Sequence, residues 1–290
     1  MLSQFVQHAA SFATQVSSTI LWLVLLTLVF VPIERFFTLR QRGLTRSQLA
    51  GDIAYYFLNS ILPTILLSIP LGLVASLVSR ATPQAYIEAI NDLPLWLRIV
   101  AGLLIGDLGA YWAHRVTHRT EFLWRFHKVH HAPEHIDWLV NTRAHPVDIA
   151  FTRLCGLVPI YALSLASPAT PEGSLVPFIV SYAGVVWAFF IHANVRWRLG
   201  PLEWIVASPA FHHWHHTNDE HRDHNYAAMF PIYDRLFGTH HLPDHWPPCY
   251  GVDEPQPASM VGQLLRPLGL DASAPPAKST LRLPPPERTG

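Results

Sequence analysis

Five apolar runs constrain the fold of this chain more than any other feature: Thr19–Phe37, Ile53–Val78, about Leu95–Ala113, Val147–Ala166 and Leu175–Ile191. About 20 such residues, rising about 1.5 Å each along a helix, cross the ~30 Å hydrocarbon layer of a bilayer. The chain is half hydrophobic and only 14% charged, against about 25% in an average soluble domain. The expected fold is therefore all-α, an integral, multi-pass membrane helical bundle of about four to five spans or hairpins. The formal net charge is zero, so no nucleic-acid partner is expected. Cys155 and Cys249 lie outside any C-x-x-C arrangement, so neither a disulfide framework nor a thiolate zinc site is implied.

The N-terminal MLSQFVQHAASFATQVSS has no Lys or Arg. It lacks the basic n-region of a secretory signal, and the first run reads as a retained span. Pro32 falls late in that run and is placed to kink it, with Glu34 and Arg35 marking the exit into the interface. The second run carries Pro63 and Pro70 and reads either as one bent span or as a re-entrant pair. The third ends directly at His114, with Trp96 near one end and Tyr111 and Trp112 near the other, the placement of interfacial aromatic belts. The fourth and fifth flank the short loop SPATPEG, as a hairpin that spans or only dips into the bilayer.

Arg residues concentrate in the 38–50 loop and in 114–146, while the N-terminal segment and SPATPEG have none. Basic loops stay cytoplasmic, so the N-terminus is expected outside and a histidine-rich helical cap on the cytoplasmic side. Three parts follow: spans in 1–113, a histidine-bearing region in 114–250 with an inserted hairpin at 147–192, and a Pro-rich tail in 251–290. Ala193–Phe211 alternates aromatic and charged residues and reads as an interfacial amphipathic segment. Beyond Tyr250 disorder is expected, except at Val261–Leu268, which reads as lying on the membrane.

Seventeen of the eighteen histidines fall between His114 and His245, so they are a local device rather than a compositional habit. His114 and His118 are four apart, on one helical face. His127, His130 and His131 follow at i, i+3 and i+4, and His212, His215 and His216 repeat that spacing. Neutral imidazole is the commonest metal ligand near pH 7 and suits iron, zinc and copper. The His-Glu-x-x-His of zinc proteases and the Glu-x-x-His of soluble di-iron bundles are both absent. Nine or more histidines exceed what one ion with four to six positions takes, but they suit two. Two redox-active ions beside a bilayer suit oxygen activation on a lipid chain.

These pieces, HRVTH, HKVHH, NTRAHP at 141–146, HAN at 192–194, FHHWHH and NYAAMFPIYDRLFGT at 225–239, together resemble the fatty acid hydroxylase/sterol desaturase superfamily of membrane di-iron oxygenases. The resemblance runs from about 105 to 250, in the family's order. It implies that His114, His118, His127, His130, His131, His212, His215 and His216 bind metal. His192 matches the family's intervening histidine, and His145 a position many sterol-type members share. Some fatty-acyl members have another histidine one turn after the His192 position; here it is Arg196. The implied cofactors are two iron ions, replaceable by zinc on purification, with O2 as co-substrate. The implied activity is hydroxylation or desaturation of a sterol-like or acyl lipid, in a bacterial inner membrane or, in a eukaryote, the endoplasmic reticulum. No flavin, nicotinamide or haem motif is evident, so electrons are expected from a separate donor, a ferredoxin or a b-type cytochrome with its reductase.

Two other readings stand beside this one: a histidine-rich metal transporter or binding protein, which would place ligands between broken helices, and a membrane zinc hydrolase using a metal-activated water. Ligating imidazoles usually donate their other N–H to a carboxylate or carbonyl. Asp107, two turns before His114 on the same stripe, is expected in that role, or else in a salt bridge to Arg153. Asp148 and Asn194, each shortly after a histidine, are further candidates, and Asp234 reads as a structural anchor of its turn. His213 is expected outside the ligand face as a supporting or surface group. His135, His221, His224, His240, His241 and His245 are expected to be solvated or hydrogen-bonded, and His8 has no role.

Overall fold

A computed structural model of the chain describes residues 2–41, 46–166 and 174–270, with side chains described from Ala13 onward except at Arg46 and Ser47. Arg42, the SPATPEG loop, the His8 side chain and the tail from Asp271 lie outside these residues. Ten α-helices make up the described fold: α1 Leu2–Phe36, α2 Arg46–Ala81, α3 Gln84–Asn91, α4 Leu95–Arg119, α5 Glu121–His131, α6 Pro146–Ala162, α7 Leu175–His192, α8 Pro209–His215, α9 Ile232–Leu236 and α10 Met260–Leu265. Among the described residues there are no strands, only the isolated antiparallel bridges Thr38 to Val195 and Thr217 to Tyr250.

Four helices are long and apolar enough to cross a bilayer: Ala13–Phe36 of α1, Gln48–Ala81 of α2, α4 and α7. Their apolar surfaces remain largely uncovered, with Leu28, Ile69, Leu73, Leu77 and Phe178 all more than half exposed. That is the signature of a lipid-facing bundle. The second run is one continuous helix despite Pro63 and Pro70, which settles the choice left open by its sequence. The third does not stop at His114 but continues to Arg119, so both histidines of HRVTH stay on its helical face. The fourth becomes α6, whose 17 residues reach only about 25 Å.

Glycine explains how α6 is held. A β-carbon at Gly109 of α4 would overlap the Cys155 carbonyl of α6, and one at Gly156 would stand 3.1 Å from the Gly106 carbonyl. The two backbones approach as closely as small residues in membrane helices permit. This contact carries the first turn of α6, with Asp148, to the end of α4. On the other side Leu26, Phe30, Tyr56, Trp138 and Phe189 pack α1, α2 and α7 around the short 3-10 turn Trp138–Thr142.

Three expectations are corrected here. Ala193–Phe211 is not one amphipathic element: Val195 bridges to Thr38, Gly200–Trp204 turns as a 3-10 helix, and Pro209–Phe211 already open α8. It exposes Leu202, Trp204 and Ile205. The region after Tyr250 is ordered as far as Leu270. There Tyr55 of α2 donates to Gln263 at 3.0 Å, and Arg266 donates to Glu254 at 2.8 Å. Glu34 also does not exit into solvent. It is buried, and its carboxylate accepts the backbone N–H groups of Trp138 at 2.8 Å and Asn194 at 2.9 Å.

The close contact predicts that Gly109→Ala lowers the thermal midpoint in detergent by the equivalent of about 1–3 kcal/mol. Gly184→Ala, where nothing lies within 4 Å of the added carbon, should leave it unchanged. Equal midpoints for the two variants would contradict the packing described.

Candidate metal centre

Histidines converge from four helices. His114 and His118 occupy the last turns of α4. The backbone turns extended at Thr120 (φ −118°, ψ 112°) and re-enters helix as α5, which folds back with His127, His130 and His131 inward. His192 is the last residue of α7. The short α8 starts with Ser208, whose Oγ accepts from the Phe211 N–H, and with Pro209 at its first position. Both are strong start signals, and they fix the single turn that carries His212, His215 and the capping His216.

The nine imidazoles form two groups. His114, His118, His127, His131 and His215 have ligand nitrogens within 4.8 Å of one another, as do His130, His192, His212 and His216. The sequence clusters are thus split. On α5, His127 and His131, one turn apart, serve the first group, and His130 serves the second. On α8, His215 joins the first while His212 and His216 join the second. The groups adjoin, with the His131 and His216 rings stacked at 4.5 Å between centroids.

The proton positions decide what the groups are for. His114 Nδ1 donates to the Tyr226 carbonyl at 2.8 Å, and His127 Nδ1 donates to Asp148 at 2.9 Å. Each ring is therefore left with a bare lone pair on Nε2 when neutral, yet these two nitrogens stand 3.0 Å apart. The second group repeats the pattern. His130 Nδ1 donates to the Arg143 carbonyl and His192 Nδ1 to the Ala188 carbonyl, with their Nε2 atoms 3.1 Å apart. His118 Nδ1 faces Asp223 at 3.2 Å and His215 Nδ1 donates to the His224 carbonyl at 2.8 Å. The Nε2 atoms of both are buried without a partner.

Lone pairs converging at this range repel unless a cation lies among them. Nitrogens bound at about 2.0–2.1 Å to one ion are themselves about 3 Å apart. Burial first, and then the neighbouring imidazoles, hold His130, His131, His212, His215 and His216 well below the usual imidazole range. They are neutral and ready to bind metal at pH 7. The donor set fits two ions, and among the described residues no carboxylate belongs to either group.

The remaining predicted residues lie elsewhere. His145 stands outside both groups. It caps α6 by accepting from the Val147 N–H, and its Nε2 faces the Leu264 carbonyl at 3.1 Å. Asp107 touches neither a histidine nor Arg153. Its carboxylate accepts the N–H groups of Met229 at 3.1 Å and Phe230 at 2.8 Å. Buried Asp234 does the same for Tyr226 and Ala227. Together they clamp the loop whose Tyr226 carbonyl orients His114, so Asp107 acts on a ligand only at a distance. Asn194 is turned away from the centre, bonding the N–H of Arg40 at 3.1 Å and its carbonyl at 2.8 Å. His213 is no surface group: fully buried, its pKa pushed down to about 3 mainly by burial, it bonds Tyr250 Oη at 2.7 Å and the Ala193 carbonyl at 3.1 Å.

Sequence reasoning missed Asp223, Tyr226 and Trp124. Asp223 lies in an irregular loop, where spacing carries no signal. Tyr226 packs its ring on His114 and His118 at 5.7 and 5.1 Å. Trp124 could have been found, because it shares the α5 stripe of His127 and His131 at i+3 and i+7.

The fatty acid hydroxylase family model matches residues 99–239, which include all nine histidines. The chain is 36% identical over 155 residues to ornithine lipid hydroxylase OlsE of Rhizobium tropici, covering 52% of this chain and 44% of that protein. It is 33% identical over 150 residues to alkylglycerol monooxygenase of Danio rerio, covering 51% and 31%. It is 29% identical over 170 residues to Delta(7)-sterol 5(6)-desaturase erg3C of Aspergillus fumigatus, covering 51% and 50%. The chain thus spans half or less of the length of these relatives. No solved structure matches it significantly.

The lowered imidazole pKa values set a pH dependence. Below about pH 6.5 an unfolded chain takes up protons that the folded, buried imidazoles refuse. Folding stability of the metal-free protein must therefore fall as pH drops through that value, and keep falling towards the lowered folded-state values. Thermal midpoints of metal-free protein should decline steadily from about pH 8 to about pH 5. A flat profile would mean that the histidines are not held neutral.

Proposed function

Because residues 99–239 place this chain in the fatty acid hydroxylase family, we propose that it is an integral membrane di-iron oxygenase that hydroxylates or desaturates an unactivated C–H bond of a membrane lipid. The observation that carries this reading is the pair of adjoining all-nitrogen groups with inward lone pairs. The similarity to an ornithine lipid hydroxylase, an alkylglycerol monooxygenase and a sterol desaturase supports oxygen chemistry on a lipid, with the polar class of the lipid open. The basic loops favour a cytoplasmic centre.

His114, His118, His127, His131 and His215 would hold one iron, and His130, His192, His212 and His216 the other. Once bound and reduced, the irons supply the O2-activating redox chemistry. With two electrons and two protons, one oxygen atom of O2 would leave as water; the other would either enter the C–H bond to give an alcohol, or take two hydrogens from neighbouring carbons and leave as a second water, giving an alkene. The chain's own contribution is positional. Asp148 and Asp223 hold the Nδ1 protons of His127 and His118, fixing ring direction and raising donor strength. The Tyr226, Arg143, Ala188 and His224 carbonyls do the same for four other rings. Tyr226 and Trp124 wall the first group against water. The last turns of α4 bring the site to the end of a lipid-facing span, so that a lipid chain reaches it from the bilayer and is held beside the oxidant. Zinc binds such nitrogen sites more tightly than Fe²⁺ and is expected to displace iron during purification.

Iron-loaded wild-type protein should contain two metal ions per chain and produce an O2-dependent change in the lipids of the membrane that carries it. His215→Ala and His192→Ala should each lose about one ion and all product formation. His145→Ala should keep both ions, because its nitrogens are engaged elsewhere. A His215→Ala protein with full metal content and wild-type product formation would overturn the proposal, as would a hydrolysed lipid as the product.

A further inference from the structure

The outer face of α5 borders a hollow that the oxygen chemistry does not use. Its volume is about 390 Å³, and Glu121, Trp124, Arg125 and Lys128 of α5 face Glu254 and Arg266 across it. Trp124 is its innermost wall. The same indole lies against three histidines of the first group, with ring centroids 5.0 Å from His118, 5.4 Å from His131 and 6.0 Å from His127. Arg222 stands over it at 5.1 Å. One aromatic ring therefore separates the hollow from the nitrogens of the first histidine group.

An indole in this place blocks a lipid carbon from reaching the centre from this side. It does not block an electron, whose tunnelling is favoured by a bonded aromatic path over an equal length of empty space. The rim charge indicates what docks. Glu254 is paired with Lys128 and with Arg266, and Glu121 with Arg125 at 3.8 Å. Among the residues that line the hollow, the cations Arg125, Lys128 and Arg266 outnumber the carboxylates Glu121 and Glu254 by one, so its surplus is positive. A positive patch around a redox path steers an acidic partner into encounter. Small, weak interfaces are the norm for redox partners.

We propose that a small acidic one-electron carrier protein docks over this hollow, and that Trp124 is the path by which its electrons enter the first histidine group. The proposal rests on the oxygenase reading above and adds to it the partner's face and chemistry. Each docking event oxidises the carrier by one electron, and two events supply the electron pair that reduces one oxygen atom to water.

The test uses the full chain, iron-loaded in nanodiscs, with reduced plant-type [2Fe–2S] ferredoxin as the probe. Binding is measured at two salt concentrations, and ferredoxin oxidation is followed under argon by stopped flow. Lys128→Glu and Arg125→Glu should each weaken binding about tenfold, with a shallower salt dependence. Arg80→Glu, at the far end of α2, should change nothing. Trp124→Leu should bind ferredoxin normally. With rates taken per iron bound, the ratio of its ferredoxin oxidation to its reduction by dithionite with methyl viologen should fall several-fold below wild type, with Trp124→Phe in between. Unchanged affinity in both charge reversals, or an unchanged ratio in both Trp124 variants, overturns the proposal. So does wild-type protein that accepts electrons from dithionite but never from ferredoxin. Wild-type protein that oxidises ferredoxin but modifies no lipid leaves the docking face standing and defeats the oxygenase reading instead.

Discussion

Nine imidazole lone pairs directed at one another dominate the energetics of this protein. Neutral rings with facing nitrogens 3.0–3.2 Å apart do not collect spontaneously. Seven of the nine are buried and two are half-buried, so water cannot relieve the repulsion. The scaffold must hold them until a cation does, and much of the remaining structure serves that purpose. Hydrogen bonds to Nδ1 fix most of the rings, and the groups that accept them are themselves fixed by other elements.

Buried carboxylates do much of this fixing, largely by accepting backbone N–H groups. Glu34 joins the end of α1 to the backbone of Trp138 and Asn194. Asp137 caps the following turn by accepting the Leu139 N–H at 2.8 Å. Asp107 and Asp234 hold successive amides of 226–230. Hydrogen bonds from N–H groups to a carboxylate are stronger than neutral ones, and they lock a loop without needing a rigid strand or helix. Asp52 acts through a side chain. It takes Arg143 by its Nε at 2.6 Å, and the carbonyl of that same Arg143 receives the Nδ1 proton of His130. A membrane helix, α2, thereby controls the direction of one ring in the second group. Asn59, two turns further along α2, bonds the carbonyls of Thr142 and Ala144, both at 2.8 Å, and completes the attachment.

What could be read from the sequence follows from periodicity. Apolar runs longer than a soluble core helix declared the spans, and helical spacing declared the histidine groups on α4, α5 and α8, because both are properties of regular helix. What could not be read lies where the backbone is irregular or where two distant segments meet. The continuity of α2 through two prolines depends on its neighbours, and the packing of α6 on α4 depends on glycines whose partner is another helix. His145 looked like a ligand because its local motif is one, yet its ring is consumed in capping α6 and in contact with Leu264. Asp107 sits on the right stripe of α4 for a role beside His114. A loop more than a hundred residues away supplies the amides that claim it. Asp223 has the role expected of Asp107, and no spacing rule points to it.

The division of the histidines also has a consequence for asymmetry. A helix that presented all three of its α5 histidines to one ion would leave the second with too few. The i, i+3, i+4 pattern avoids this, because residues 127 and 131 lie one turn apart while 130 is rotated from both. The same logic splits α8. The outcome is five nitrogens on one side and four on the other, and Arg196, one turn after His192 in sequence, adds none to the smaller group. That residue is exposed, and its N–H is committed to the Phe37 carbonyl at 3.0 Å in the segment bridging Thr38. Among the described residues no carboxylate joins that group to make up the difference. Of two ions held here, the one bound by His130, His192, His212 and His216 would keep more of its coordination positions free of protein. The imbalance is set by the chain's own backbone path rather than by its metal. It makes the two sides chemically unequal.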